Sequence, residues 1–219
     1  MLTYEALRQD EEICTYIEHA DRSLLALGYT EHSYAHVTRV AESAATLLSA
    51  LGHDDRTVEL ARIAGYLHDI GNLVNRVDHS QSGALLAFRL LSHRDMPPEE
   101  IATVVTAIGN HDEGTGVPVN AVSAALILAD KCDVRRSRVR NTDTSTFDIH
   151  DRVNYSVTSS AISLNEEKTE FTLALAIDTS ISPVMDYFEI FLGRMIMCRK
   201  AAEKLGLRFC LLVNDQRLF

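Results

Sequence analysis

Residues 58–72 read VELARIAGYLHDIGN. Val58, Ala61, Gly65 and His68 recur at helical spacing, so an imidazole closes a stripe of apolar and small residues. Asp69 follows it, and Ile70-Gly71 ends the helix. A carboxylate on an apolar helix end is costly unless it is paired or bound to a cation. A neutral imidazole nitrogen beside a carboxylate oxygen is a natural ligand pair for a divalent metal.

Working outward, the N-terminal side reads as helix after helix. Residues 3–28 form one or two helices ending at Gly28, and Thr30 caps the next, from about 31 to 51, with Gly52 as its stop. That helix carries His36, Val40, Ala44, Leu47 and Leu51 on one face, a second imidazole on an apolar stripe. Asp54 or Asp55 opens the helix quoted above. Further helices are expected from about 78 to 93, from Pro97-Pro98 to about 110, and over 119–134. The last of these, VNAVSAALILADKCDV, is strongly apolar and bears Asp130 near its end. Beyond about 135 the chain turns polar, with a short helix in IHDRVNYS. VTSSAISL and EFTLALAID, split by NEEK, read as a β-hairpin. Pro183 starts a long amphipathic helix to about 205, stopped by Gly206, and RFCLLV is a final strand. The expected class is mainly α: a helical domain over 1–140 and a small α+β extension over 141–219 packed on it.

A His-Asp dipeptide occurs at 53–54, 68–69, 111–112 and 150–151, so context must choose among the four. The first lies in the polar turn GHDDR and the last follows a polar loop, where a surface residue or helix cap is expected. His68-Asp69 stands on an apolar helix instead. With His36 and Asp130 it makes three helices that each deliver a ligand-type side chain toward one core, the arrangement of a metal site in a helical bundle.

His36 in HSYAHVTRVA, His68-Asp69 in LHDIGN and Asp130 in ILADKCD resemble, in order and context, the H…HD…D signature of the HD superfamily of metal-dependent phosphohydrolases. The resemblance spans roughly residues 30–135. His79 in DHSQSGALL resembles the histidine that follows the pair in many members. Asn110-His111-Asp112 resembles a histidine segment of HD-GYP phosphodiesterases or of dinucleoside-tetraphosphate hydrolases. The resemblance implies one or two divalent ions (Fe, Mn, Co, Ni, Mg or Zn). His36, His68, Asp69 and Asp130 would hold the first; Asp69, His79 and His111 would hold the second. For His79 and His111 a helix-capping role is the alternative. Asn72 and Asn110 stand where members often carry lysine and a paired histidine, and GTGVP replaces the GYP tripeptide, which disfavours a strict HD-GYP enzyme.

A divalent ion with open coordination positions lowers the pKa of its water and neutralises phosphoryl charge. The implied activity is hydrolysis of a phosphomonoester, nucleotide or phosphodiester, with Asp69 as ligand and orienter. His111, Asp112 or His32 would protonate the leaving group. Alternatives are an HD-type di-iron oxygenase and a non-catalytic ligand-binding or interaction module. Lys131, Arg135, Arg136, Arg138 and Arg140 concentrate positive charge after Asp130, so the first four are substrate-binding candidates, with Arg76 a weaker one. The same cluster also reads as a solvated loop paired with acids.

The 219 residues are 46% apolar and 24% charged, with a net charge of −10. That balance suits a globular chain and argues against general nucleic-acid or anionic-membrane binding. The expected partner is a phosphorylated small molecule such as a nucleotide, and the stripe Val184, Tyr187, Phe188, Phe191, Leu192, Met195, Ile196 serves core packing or a homodimer. Four scattered cysteines and a polar N-terminus point to reduced thiols and a cytoplasmic protein.

Overall fold

The computed structural model describes residues 1–218. Its first two helices, α1 (Tyr4–Arg8) and α2 (Glu11–Ala26), are separated at Asp10, whose carboxylate caps α2 by accepting from the backbone of Glu12 and Ile13. Helix α3 (Tyr34–Ala50) starts later than the sequence suggests. Ser33, not Thr30, is its cap, because the Ser33 hydroxyl accepts from Ala35 N while residues 30–32 stay outside the helix. Asp54 caps α4 (Asp55–Leu67), and a 3₁₀ turn over Ile70–Leu73 follows. Then come α5 (His79–Ser92), α6 (Pro98–Gly109) and α7 (Ala121–Lys131), the last opened by a reciprocal Asn120–Ser123 capping box.

Helix α7 is the centre of the molecule. Every residue from Val122 to Lys131 is buried, with α3, α4, α6 and α9 packed around it. A helix apolar on all sides is stable only in such a position. Helices α3 and α4 approach closely at Gly65, where an added Cβ would lie 2.6 Å from the Ala41 Cα. The small residues Ala41, Ala44, Ala61, Ala64 and Gly65 are what allow that contact.

The C-terminal part contains α8 (Ile149–Ser156), strands β1 (Val157–Leu164) and β2 (Glu170–Ile177), α9 (Val184–Lys204), β3 (Arg208–Val213) and a short β4 (Gln216–Arg217). The sheet order is β1-β2-β3-β4. The hairpin β1–β2 is antiparallel as the sequence suggests, but β3 pairs parallel with β2, through the α9 crossover. Alternation along β2 and β3 turns Phe171, Leu173, Leu175, Phe209, Leu211 and Val213 into the core. Tyr187, Phe191 and Met195 of α9 are buried, so this stripe packs the core, whereas Leu192 and Ile196 remain exposed. No helix among the described residues is long and apolar enough to cross a membrane.

Candidate metal centre

Five segments meet at the end of α7. Helix α3 brings His36 in its first turn, α4 ends on His68, the following turn carries Asp69, α5 opens with His79, and His111 lies just past α6. Asp130 comes from the last turn of α7. All six side chains are buried. His36, His68 and Asp130 offer ligand atoms mutually within 4.8 Å, and so do His68, Asp69 and His111.

Hydrogen bonding assigns a direction to each imidazole. His36 Nδ1 is 2.7 Å from Asp133 Oδ2, His68 Nδ1 is 2.8 Å from Gly65 O, His79 Nδ1 is 3.1 Å from Arg76 O, and His111 Nδ1 is 2.6 Å from Ile108 O. An acceptor at every Nδ1 places the ring proton there and leaves the Nε2 lone pair free, the tautomer a metal-binding histidine needs. The four Nε2 atoms converge on Asp69, which divides them. Its Oδ2 is 3.6 Å from His36 Nε2 and 3.3 Å from His68 Nε2. Its Oδ1 is 3.5 Å from His79 Nε2 and 4.0 Å from His111 Nε2. Asp130 Oδ1 joins the first group, 3.3 Å from His36 Nε2 and 3.6 Å from His68 Nε2.

The cluster lacks internal satisfaction. His36 Nε2, His68 Nε2 and Asp69 Oδ2 are buried with no hydrogen-bond partner among the described residues. Orphaned buried polar atoms are rare and costly, and a set aimed at one point fits a cation. His79 Nε2 and His111 Nε2 lie 3.2 Å apart, each ring already using Nδ1 as donor, so a cation or an extra proton must separate the two lone pairs. Burial disfavours a charged His68, yet Asp69 and Asp130 outweigh it and push its pKa up to about 10. The cluster by itself thus favours positive charge at this point, and a metal ion would displace that proton. Burial likewise opposes ionisation of Asp69, but His68 and His32 hold its pKa well below the ordinary carboxylate range.

Around the cluster, the sequence-derived candidates divide. Asp112 is at the rim, 4.0 Å from His79 Nε2. His32, just ahead of α3, packs edge-on to His36 with ring centroids 5.5 Å apart. The basic stretch after Asp130 is largely occupied internally. Lys131 is buried with Nζ 2.8 Å from Asp130 Oδ2, so it acts as a counterion to a ligand residue. Arg135 binds Asp133 and Glu31, each at 2.9 Å. Arg138 is buried and donates to the carbonyls of Glu31 and Asp133. Arg136 donates to Tyr155 O and lies over the Tyr155 ring, and Arg140 pairs with Asp21.

A cavity of about 350 Å³, lined by none of the six residues, is connected to the cluster through His32 and Arg76. Its charged lining is Arg76, Arg138 and Arg194 with the carboxylates Asp148 and Asp151, and His32, His150 and Asn154 add polar groups. Arg76 links cavity and cluster, with Nη1 4.0 Å from Asp69 Oδ1. Arg194, on α9, lies over the Phe191 ring and pairs with Glu113 just after His111-Asp112; Glu113 in turn is 3.7 Å from Lys131 Nζ. Sequence reading missed Asp133, Glu113 and Arg194; His150, read as a surface residue or helix cap, is exposed and borders the cavity. Asp133 had a faint signal, one helical turn after Asp130; Arg194 had none, lying on an amphipathic helix without a motif.

Residues 33–137 match the HD domain family. An uncharacterized protein of Methanocaldococcus jannaschii is 25% identical over 213 residues, covering 86% of this chain and 80% of that protein. A crystal structure described as a predicted HD superfamily hydrolase, from an uncultured Thermotogales bacterium, is 29% identical and matches 57% of this chain and 67% of the other, with a TM-score of 0.44.

Proposed function

We propose, from the premise that residues 33–137 form a domain of the HD superfamily, that the protein hydrolyses a small phosphate ester, with a nucleotide as the best-fitting class. The observation that carries this reading is the division of four Nε2 atoms between the two oxygens of one carboxylate, Asp69. A carboxylate so placed suits a bridge between two cations. His36, His68 and Asp130 would complete the first position, and His79 and His111 the second. Divalent cations bound there supply water activated near neutral pH and neutralise phosphoryl oxygens.

The chain's own groups set the rest. Asp133 fixes the tautomer and plane of His36, and Asn72 orients the Asp69 carboxylate, donating from Nδ2 to Oδ1 at 3.0 Å. Arg76 stands between Asp69 and the cavity and is the cation best placed for a non-reacting phosphoryl oxygen. Asp112 and His32, both at the edge of the cluster, are the candidates for protonating a leaving oxygen. A cavity of about 350 Å³ is at the small end of ligand sites, which suits a compact substrate. Its walls include residues of α8 and α9, so the segment after 140 would contribute to substrate choice.

The test is elemental analysis of the purified protein, followed by phosphate release from a panel of nucleotides and phosphomonoesters with the metal found. Turnover abolished in Asp69→Ala supports the assignment. Bound iron with oxygen consumption and no phosphate release would replace hydrolysis by oxygenation.

A further inference from the structure

A larger cavity, of about 610 Å³, lies between α3, the turn after α7 and strand β1. None of the six cluster residues lines it, and it shares no lining residue with the cavity described above. Its charged lining is three guanidiniums, Arg39, Arg135 and Arg136, against one carboxylate, Asp133. That carboxylate is already committed, with Oδ2 on His36 and Oδ1 on Arg135. Arg136 uses Nε on Tyr155 O, while its Nη2 is buried without a hydrogen-bond partner among the described residues. Arg39 has a side chain 60% exposed and approaches Asp133 only to 3.7 Å. Hydroxyls of Ser43, Ser137 and Ser159 complete a polar wall.

We propose that this cavity is a second binding site, for a small molecule bearing a phosphate or pyrophosphate group. Guanidinium forks match phosphate oxygens in pairs, and serine hydroxyls add donors to oxygens the forks do not reach. Arg135 is already paired with Asp133 and Glu31, so the positive charge open to an anion, in a chain of net charge −10, is that of Arg39 and Arg136. The volume exceeds what phosphate alone would fill and lies within the range of small-molecule sites.

The position gives the site a consequence. Arg135 serves Asp133 and lines this cavity, and Asp133 orients His36. A ligand that draws Arg135 or Arg39 toward itself weakens their hold on Asp133 and loosens the hydrogen bond that orients His36. Occupancy and affinity for the cation held by His36 are then linked, and the linkage runs both ways.

The probe is imidodiphosphate, a pyrophosphate analogue that resists hydrolysis, titrated calorimetrically into the purified protein with its metal. Arg39→Glu, which replaces a largely exposed side chain, should weaken one binding event roughly tenfold or more. Arg136→Gln should weaken the same event, whereas Arg76→Ala leaves it intact. An isotherm unchanged by Arg39→Glu overturns the proposal, as does complete loss of binding on Arg76→Ala alone. Should Arg136→Gln fail to fold, Arg39→Glu by itself decides.

Discussion

Replacing Asp133 by Asn asks how strongly the cluster depends on a carboxylate that holds one of its histidines from behind. Asp133 is buried; its Oδ2 lies 2.7 Å from His36 Nδ1 and its Oδ1 accepts from Arg135 Nε at 2.9 Å, with Arg39 and Arg138 at 3.7 and 3.8 Å. Burial alone would raise its pKa, but His36, Arg138 and Arg135 override that and hold it well below the carboxylate range. Asn keeps the volume and one acceptor oxygen, and removes the charge. Partners of metal-ligating imidazoles are typically worth 10–100-fold in metal affinity, or about 1.4–2.7 kcal/mol. Competition against a fluorescent chelator should therefore show the cation at His36, His68 and Asp130 weakened by roughly ten- to a hundredfold, with the position at His79 and His111 unchanged. A helical circular dichroism spectrum matching the parent's separates metal loss from unfolding. Parental affinity at both positions would refute the reasoning and reduce Asp133 to an anchor for its arginines.

Three further outcomes are expected. His79→Ala should lower the metal content by about one ion per chain and spare the other, because a lost imidazole ligand costs more than a lost partner of one; equal content in parent and variant, by elemental analysis, would make this a one-metal centre. Gly65→Ala should destabilise the fold by about 1–3 kcal/mol or more, since its Cβ would meet the Ala41 backbone at 2.6 Å, and urea denaturation should show it. Glu100 pairs with Arg56, whose side-chain hydrogen bond lowers the glutamate pKa below its ordinary 4.5. A depressed folded-state value stabilises above the unfolded pKa and is lost as pH falls through the folded one. Glu100→Gln should thus cost up to about 1 kcal/mol at neutral pH, a difference that shrinks in melts run progressively below pH 4.5; a difference constant with pH would show that the charge does not matter.

Local rules were enough to place much of this molecule. Helical spacing along 58–68 and 36–47 set His68 and His36 on apolar faces, and the near-continuous apolar run before Asp130 required that helix to be buried. Spacing is reliable there because a helix fixes the direction of each side chain relative to its neighbours a turn away. Alternation and turn residues exposed the β1–β2 hairpin for the same reason. Periodicity names a face and leaves its partner open. The hydrogen bond between His36 and Asp133 joins positions 97 apart, and only the packing of α3 on α7 brings them together. The basic stretch shows the same limit: composition counts Lys131, Arg135 and Arg138 as free charge, while the fold supplies Asp130, Glu31 and backbone carbonyls that absorb it. The parallel pairing of β3 with β2 depends on where α9 returns the chain. Arg194 reaches the cavity by that same path, because the position of a crossover helix is set by the core it covers and by nothing in its own period.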